Sequence, residues 1–316
     1  MTKSALILGV GGQDGSYLAE VLLAQGYAVH GLYRRSSVDN LWRIAHVRDR
    51  ITLHQGDIAD NSSVVRILDA VQPDEIYNEA DQDHVGWSYA VPGYSLDITA
   101  RAVATLLEAV RRQVPKARVF QPVSATMFGD APPPQNEQTP FNPQSPYACA
   151  KVAAYYLARY YRQAYGMFVS TAILYNHDSP RRRGNYLLHD ICDGALAVAD
   201  GKQDKLLVGC LDMLVDIGFA GEYMAAAHKL LQLPEPDDVV IGCGVAPSIR
   251  HMAECALRAV GVDPHDRLGI NPAFNRPGKQ PQLRGDIRKA QQLLGFAPKI
   301  GVAELIPMVL ETKSCA

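Results

Sequence analysis

Ser4-Ala5-Leu6-Ile7-Leu8-Gly9-Val10-Gly11-Gly12-Gln13-Asp14-Gly15-Ser16 is the stretch whose reading decides the fold. Its apolar half, residues 4–10, has the unbroken character of a parallel strand buried on both faces. The glycines follow at once, and residues 16–25 then place apolar side chains at helical spacing. Strand, glycine turn and helix in that order make a phosphate-binding unit. Gly9 permits the tight turn, Gly12 lets the backbone approach a pyrophosphate, and Gly15 lets the helix pack closely on the strand. Gln13 and Asp14 open the helix and belong to the same cofactor-facing turn.

Working outward, further strands are expected at 27–33, 51–54, 75–78, 119–123, 168–174 and 239–241, with helices around 63–71, 98–113, 146–164 and 221–232. This alternation predicts an α/β chain with a Rossmann-type, doubly wound parallel sheet. The pattern weakens over 176–214 and from 262 onward. Residues 1–175, with parts of 215–245, are therefore expected to form the dinucleotide-binding domain. A smaller interleaved substrate-binding lobe is expected from 176–214 and 246–316. The run A-P-P-P-Q at 131–135 reads as a stiff local loop.

The second strand ends in Arg34-Arg35-Ser36-Ser37. A site for NAD usually places an acid there to bind a ribose hydroxyl, whereas guanidiniums and hydroxyls suit a 2'-phosphate. NADP is thus expected over NAD, with Arg34 as the phosphate partner. Asp57 and Ile58 after the third strand are placed to reach the adenine. Ala80 after the fourth strand, and Leu174, Asn176 and His177 at the end of the sixth, complete the expected cofactor set.

Ser124 ends the strand at 119–123, and S-P-Y-A-C-A-K at 145–151 supplies Tyr147 and Lys151. Four residues apart on a helix, their side chains leave from one face. An ammonium beside a phenol favours the phenolate, and such a tyrosine can take a proton from a substrate hydroxyl. Tyr147 and Lys151 also count among the cofactor-binding residues.

Composition bounds the rest. With 316 residues and 47% apolar content the chain can bury a large core, and a net charge of -2 supplies no basic field for nucleic acid. No stretch approaches the roughly 18 apolar residues of a membrane span. Six scattered cysteines without a C-x-x-C pair read as reduced thiols in the cytoplasm. The nine histidines show no ligand spacing, so no metal site is expected. The short apolar run near the N-terminus reads as the first strand and not as a signal segment.

The motifs G-G-Q-D-G-S-Y-L-A-E (11–20), V-H-G-L-Y-R-R-S-S (29–37), V-Q-P-D-E-I-Y-N (71–78), T-P-F-N-P-Q-S-P-Y-A (139–148), A-I-L-Y-N-H-D-S-P-R-R (172–182) and I-G-F-A-G-E-Y (217–223) resemble one family. It is the extended short-chain dehydrogenase/reductases, and within them the GDP-mannose 4,6-dehydratase branch. The resemblance implies an NADP-dependent fold and chemistry that begins by oxidising a sugar hydroxyl. It also implies a homo-oligomer, dimer or tetramer, in which the loop at 34–37 meets a neighbour.

Departures from the family pattern are as informative. Ser124 stands for the family's catalytic threonine, and Thr126 for the glutamate that removes a proton beside the new ketone. Glu79, Asp81 and Asp83 are acids on a loop that is neutral in the family. Of these, Asp83, next to His84, is the expected replacement acid/base. Asp190 and Val215 stand where the family sets a lysine and an arginine around a diphosphate, and Lys279 replaces a glutamate three residues after Arg276. His84, Ser124, Thr126, Asn176 and Arg276 are the expected substrate contacts. The resulting expectation is a dehydratase acting on a nucleoside or other sugar not bound through a diphosphate. The alternatives are GDP-mannose 4,6-dehydratase activity, an epimerase or 4-ketoreductase, and a catalytically silent NADP-binding subunit.

Overall fold

A computed structural model describes residues 2–274 and 282–314. Arg276 and Lys279, expected near the substrate, lie outside the described residues. The strands in chain order are β1 (Ser4–Leu8), β2 (Ala28–Tyr33), β3 (Ile51–Gln55), β4 (Glu75–Asn78), β5 (Arg118–Ser124), β6 (Val169–Leu174), β7 (Asn176–Asp178), β8 (Leu206–Val208), β9 (Ile217–Phe219), β10 (Asp238–Ile241) and β11 (Leu268–Ile270). Seven of them form one parallel sheet in the order β10-β6-β5-β4-β1-β2-β3. The order reverses beside β1, between β4 and β2. In an open parallel sheet the crevice at such a point, outside the carboxyl ends of the strands, is where ligands bind.

Alternate side chains of β1 face opposite ways. Leu6 and Leu8 join the core that packs Ile67, Leu106 and Ala154 on one face of the sheet. Ala5 and Ile7 join the core with Leu18, Met224 and Leu230 on the other. Both faces are covered, which is why the strands read as continuous apolar runs. A third core, with Leu188, Ile191, Met252, Leu257, Leu305 and Val309, gathers helices Leu187–Ala199, Ile249–Ala259 and Val302–Ser314 away from the sheet. On this packing we propose the two-lobe division, with one adjustment. Leu283 and Ile287 pack into the first sheet core, and Leu294 and Phe296 into the second, so residues 283–296 go with the sheet.

Local chemistry fixes the helices nearest the site. Ser145 caps helix Pro146–Tyr165 by accepting from the Ala148 N–H, Pro146 occupies its first turn, and Gly166 ends it at a φ of 63°. The helix expected over 98–113 begins differently. A π turn at Asp97–Arg101 joins the short helix Pro92–Leu96 to helix Ala102–Gln113. Among the described residues no helix is long and apolar enough to cross a membrane, and no three or more His, Cys, Asp and Glu group as a metal site would.

Candidate active site

A cavity of about 420 Å³ opens over the carboxyl ends of the central strands. The glycine turn forms one end of it. Gly9 has a φ of +85°, and a Cβ there would meet the Glu79 carbonyl at 2.8 Å and the Ala80 nitrogen at 2.9 Å. A Cβ at Gly15 would overlap the Gly9 carbonyl, so the helix Gln13–Ala24 can sit this close to β1 only with glycine. Gly12 precedes that helix with no side-chain cap, leaving first-turn N–H groups for an anion. These residues fit a dinucleotide pyrophosphate.

Behind the turn, His177 Nε2 lies 2.9 Å from Asp14 Oδ2 and His177 Nδ1 lies 2.9 Å from the Tyr175 carbonyl. Both ring nitrogens face acceptors, so the imidazolium is the form that satisfies both. Burial alone would raise the Asp14 carboxyl, but His177 beside it brings it down to about 2. Burial opposes protonation of His177, and Asp14 outweighs it to raise the imidazole. Gln13 accepts from the Ser179 hydroxyl at 2.8 Å and donates to Asp14 at 3.0 Å. Leu174 and Asn176 line the same cavity.

The remaining cofactor candidates lie farther out. Arg34 is exposed and donates to the Tyr94 hydroxyl at 3.2 Å, with Asn40 bonded to its carbonyl. Asp57 accepts from the Ala59 N–H at 2.9 Å and Ile58 is buried in the first core. Arg34, Asp57 and Ile58 stand on the β2 and β3 side, outside the cavity lining.

Ser124, Tyr147 and Lys151 all line the cavity. Ser124 closes β5, and its Oγ accepts from the Thr126 N–H at 3.2 Å and the Thr126 hydroxyl at 2.9 Å. Its own proton therefore remains available to a third group. Tyr147 and Lys151 project from the first turns of helix Pro146–Tyr165, with Nζ 5.6 Å from the ring centroid. Lys151 Nζ donates to the Pro122 carbonyl at 3.1 Å and pairs with Asp81 Oδ2 at 2.7 Å. The expected fall in the Tyr147 pKa is not what this arrangement gives. Burial pushes the phenol up to about 12 against the pull of Lys151, and Asp81 and Asp83 add to the rise.

The three acids of the 79–83 loop divide in their surroundings. Glu79 has one carboxyl oxygen buried without a hydrogen-bond partner, and burial with Asp14 nearby holds its carboxyl well above the usual range against the pull of Lys151. Asp81 accepts from the Thr99 hydroxyl and the Gln82 N–H in addition to its pair with Lys151. Asp83 lies at the rim, half exposed, where it accepts from Tyr186 Oη at 2.9 Å and Arg182 at 3.2 Å. His84 sits beside it, its Nδ1 accepting from the Trp87 N–H at 2.9 Å and its Nε2 facing the Asn185 carbonyl at 3.1 Å.

Of the three consecutive arginines, Arg182 and Arg183 line the cavity, while Arg181 turns back to Glu20, Ser16 and the Tyr17 ring. Arg43, absent from the sequence-derived set, also lines it and donates to the Gly11 carbonyl at 3.0 Å. The signal was only its closeness in sequence to the basic turn at 34–35. Val215 is in the lining, but Asp190 is exposed in the first turn of helix Leu187–Ala199 and outside it.

The profile of a family described as GDP-mannose 4,6 dehydratase matches residues 6–309. "GDP-mannose 4,6 dehydratase 1" of Arabidopsis thaliana is 40% identical over 321 residues, 98% of this chain and 89% of that protein. Among solved structures, RMD from Pseudomonas aeruginosa complexed with NADPH superposes with a TM-score of 0.81 at 20% identity over 100% of both chains. dTDP-glucose 4,6-dehydratase from Bacillus anthracis in complex with NAD does so with a TM-score of 0.86 at 18% identity, over 99% of this chain and 97% of that one. At those identities the two structures support the fold, and the profile with the plant relative supports the family. The chain belongs to the GDP-mannose 4,6-dehydratase family.

Proposed function

We propose that this chain is an NAD(P)-dependent dehydratase that oxidises a hydroxyl of a nucleotide-linked sugar at Ser124, Tyr147 and Lys151. The observation that carries the reading is that these three side chains share one cavity with an uncapped glycine turn suited to a pyrophosphate. The bound nicotinamide supplies the acceptor for the hydride. Ser124 holds the substrate oxygen, Tyr147 takes its proton, and Lys151 steadies the phenolate. Oxidation acidifies the neighbouring C–H, and a carboxylate on the 79–83 loop is then needed to remove that proton. The hydroxyl on the next carbon leaves as water with a proton from that carboxyl, and the hydride returns to the carbon that hydroxyl left, with a proton restored to the carbon beside it. Asp83 keeps the carboxylate's role in the proposal. Its bonds to Arg182 and Tyr186 hold the carboxylate at the rim, where a sugar would lie across it.

For the substrate, the family favours a nucleotide sugar over the diphosphate-free ligand expected from Asp190 and Val215. Arg182 and Arg183 put cationic groups on the cavity wall, and Asp190 stands outside it. GDP-mannose is the first candidate, and NADP the first cofactor because of Arg34 and Arg35. The expected homo-oligomer belongs to the same proposal. Calorimetry with GDP-mannose, GDP, guanosine and mannose tests the substrate. GDP-mannose and GDP should bind at least about tenfold more tightly than guanosine, the worth of one charged hydrogen bond. Guanosine binding as tightly as GDP would restore the diphosphate-free substrate.

A further inference from the structure

Asp81 is built into the site with more care than its place on a loop suggests. One carboxylate oxygen faces the Lys151 ammonium at 2.7 Å. The other accepts from the Gln82 N–H at 2.8 Å and from the Thr99 hydroxyl. Thr99 is delivered by the π turn at Asp97–Arg101, a local widening of the helix of the kind often kept where a side chain must be re-aimed. Thr99 is itself buried, and the Asp81 and Lys151 side chains are only 13% and 6% exposed. A pair so enclosed is screened little by solvent, and losing one partner leaves a buried charge uncompensated.

We propose that Asp81 is a positioning residue for the oxidation centre: it fixes the Lys151 ammonium beside Tyr147 and takes up positive charge that would otherwise act on the phenol alone. This rests on the reading of Tyr147 as proton acceptor. Lys151 has three N–H bonds. The Pro122 carbonyl accepts one of them, and Asp81 holds the ammonium as an ion partner at 2.7 Å without hydrogen-bond geometry, so N–H remains for the phenol or a ligand hydroxyl. The orientation of the ammonium is thus set before any ligand arrives.

The charged and titratable groups around Tyr147 come from three elements. Lys151 shares its helix, Asp81 and Asp83 come from the loop after β4, and Tyr186 precedes helix Leu187–Ala199. Arg182 balances Asp83, and the Glu79 carboxyl also acts on Lys151. With Asp83 tied to Arg182, Asp81 is the carboxylate whose removal most changes the field that Lys151 exerts on Tyr147.

The test is the ionisation midpoint of Tyr147 in the NADP-loaded full chain, read by NMR of isotope-labelled tyrosine rings and assigned through Tyr147→Phe. Asp81→Asn keeps the shape and removes the charge. Its midpoint should fall by about one pH unit or more, the size of an uncompensated opposite charge at this range. The acid limb of the rate with GDP-mannose should move down with it. Coincident midpoints in folded wild type and Asp81→Asn would overturn the proposal. If Asp81→Asn does not fold, Asp81→Ser removes the same charge with a smaller side chain and should shift the midpoint the same way, and no shift there overturns the proposal equally. Retained activity in Tyr147→Phe would instead refute the underlying reading of the site.

Discussion

Thr126 Oγ1 donates to Ser124 Oγ across 2.9 Å, so the residue that stands where the family resemblance implies a glutamate is tied to the hydroxyl proposed to hold substrate. Thr126 supports Ser124 but supplies no base, because a threonine hydroxyl does not ionise near neutral pH. Thr126→Val should lower turnover by about twofold to tenfold, the net worth of one hydrogen bond. Thr126→Glu should leave formation of the 4-keto-6-deoxy sugar from GDP-mannose nearly unchanged, because Asp83 is proposed to supply the carboxylate already. Product chromatography measures both. A large gain in the glutamate variant would count against Asp83 as the proton acceptor.

Arg34 is exposed at the end of β2, where the 2'-phosphate of NADP is expected. NADP should bind more tightly than NAD. Arg34→Ala should weaken NADP by about tenfold to a hundredfold, as loss of a charged hydrogen bond does, and leave NAD nearly unchanged. Fluorescence titration of both cofactors checks this. Equal losses for the two would remove Arg34 from the phosphate site.

The pair of Asp14 and His177 makes stability depend on pH in a defined sense. His177 has a raised imidazole pKa, so its contribution is complete below its ordinary 6.5 and is lost as pH rises through the raised value. Asp14 is depressed from 3.8 to about 2, so its contribution is present above 3.8 and is lost as pH falls toward 2. The pair therefore stabilises most between those limits. The difference in Tm between wild type and His177→Gln should be widest near pH 5 to 6 and narrow above neutrality, a range the ordinary values 3.8 and 6.5 set. A gap that widens with rising pH would contradict the assignment of an imidazolium.

Much of this was legible in the chain. The apolar runs around Leu6, Ile76, Val119 and Ile173 announced a sheet covered on both faces, and the order strand, glycine turn, helix located its ligand crevice. Tyr147 and Lys151 could be set on one face because a helical repeat fixes them locally. The acids at 79–83 could be seen to be unusual, but not which of them reaches Lys151. That depends on how the loop turns between Asp81 and His84 and on Thr99, which a π turn delivers from about twenty residues away in sequence. The fall expected in the Tyr147 pKa did not follow because the two-residue motif carries no information about how deeply the phenol is buried, which is the largest cause of its rise, or about the carboxylates of Asp81 and Asp83 that add to it. Arg181, Arg182 and Arg183 are equivalent as text, yet one packs on Glu20 and two line the site. Asp190, expected to repel a diphosphate from the substrate site, is carried to the surface by the first turn of its helix.

The central claim is that Tyr147 accepts the proton from a sugar hydroxyl while its hydride passes to the nicotinamide. The most direct measurement is to mix NADP-loaded protein rapidly with GDP-mannose and follow reduced-nicotinamide absorbance in wild type and Tyr147→Phe, with NADP affinity measured for both. Wild type should show a rise and Tyr147→Phe none, with NADP affinities that agree within a few-fold because the phosphate turn is untouched. The same rise in Tyr147→Phe as in wild type would contradict this role for Tyr147.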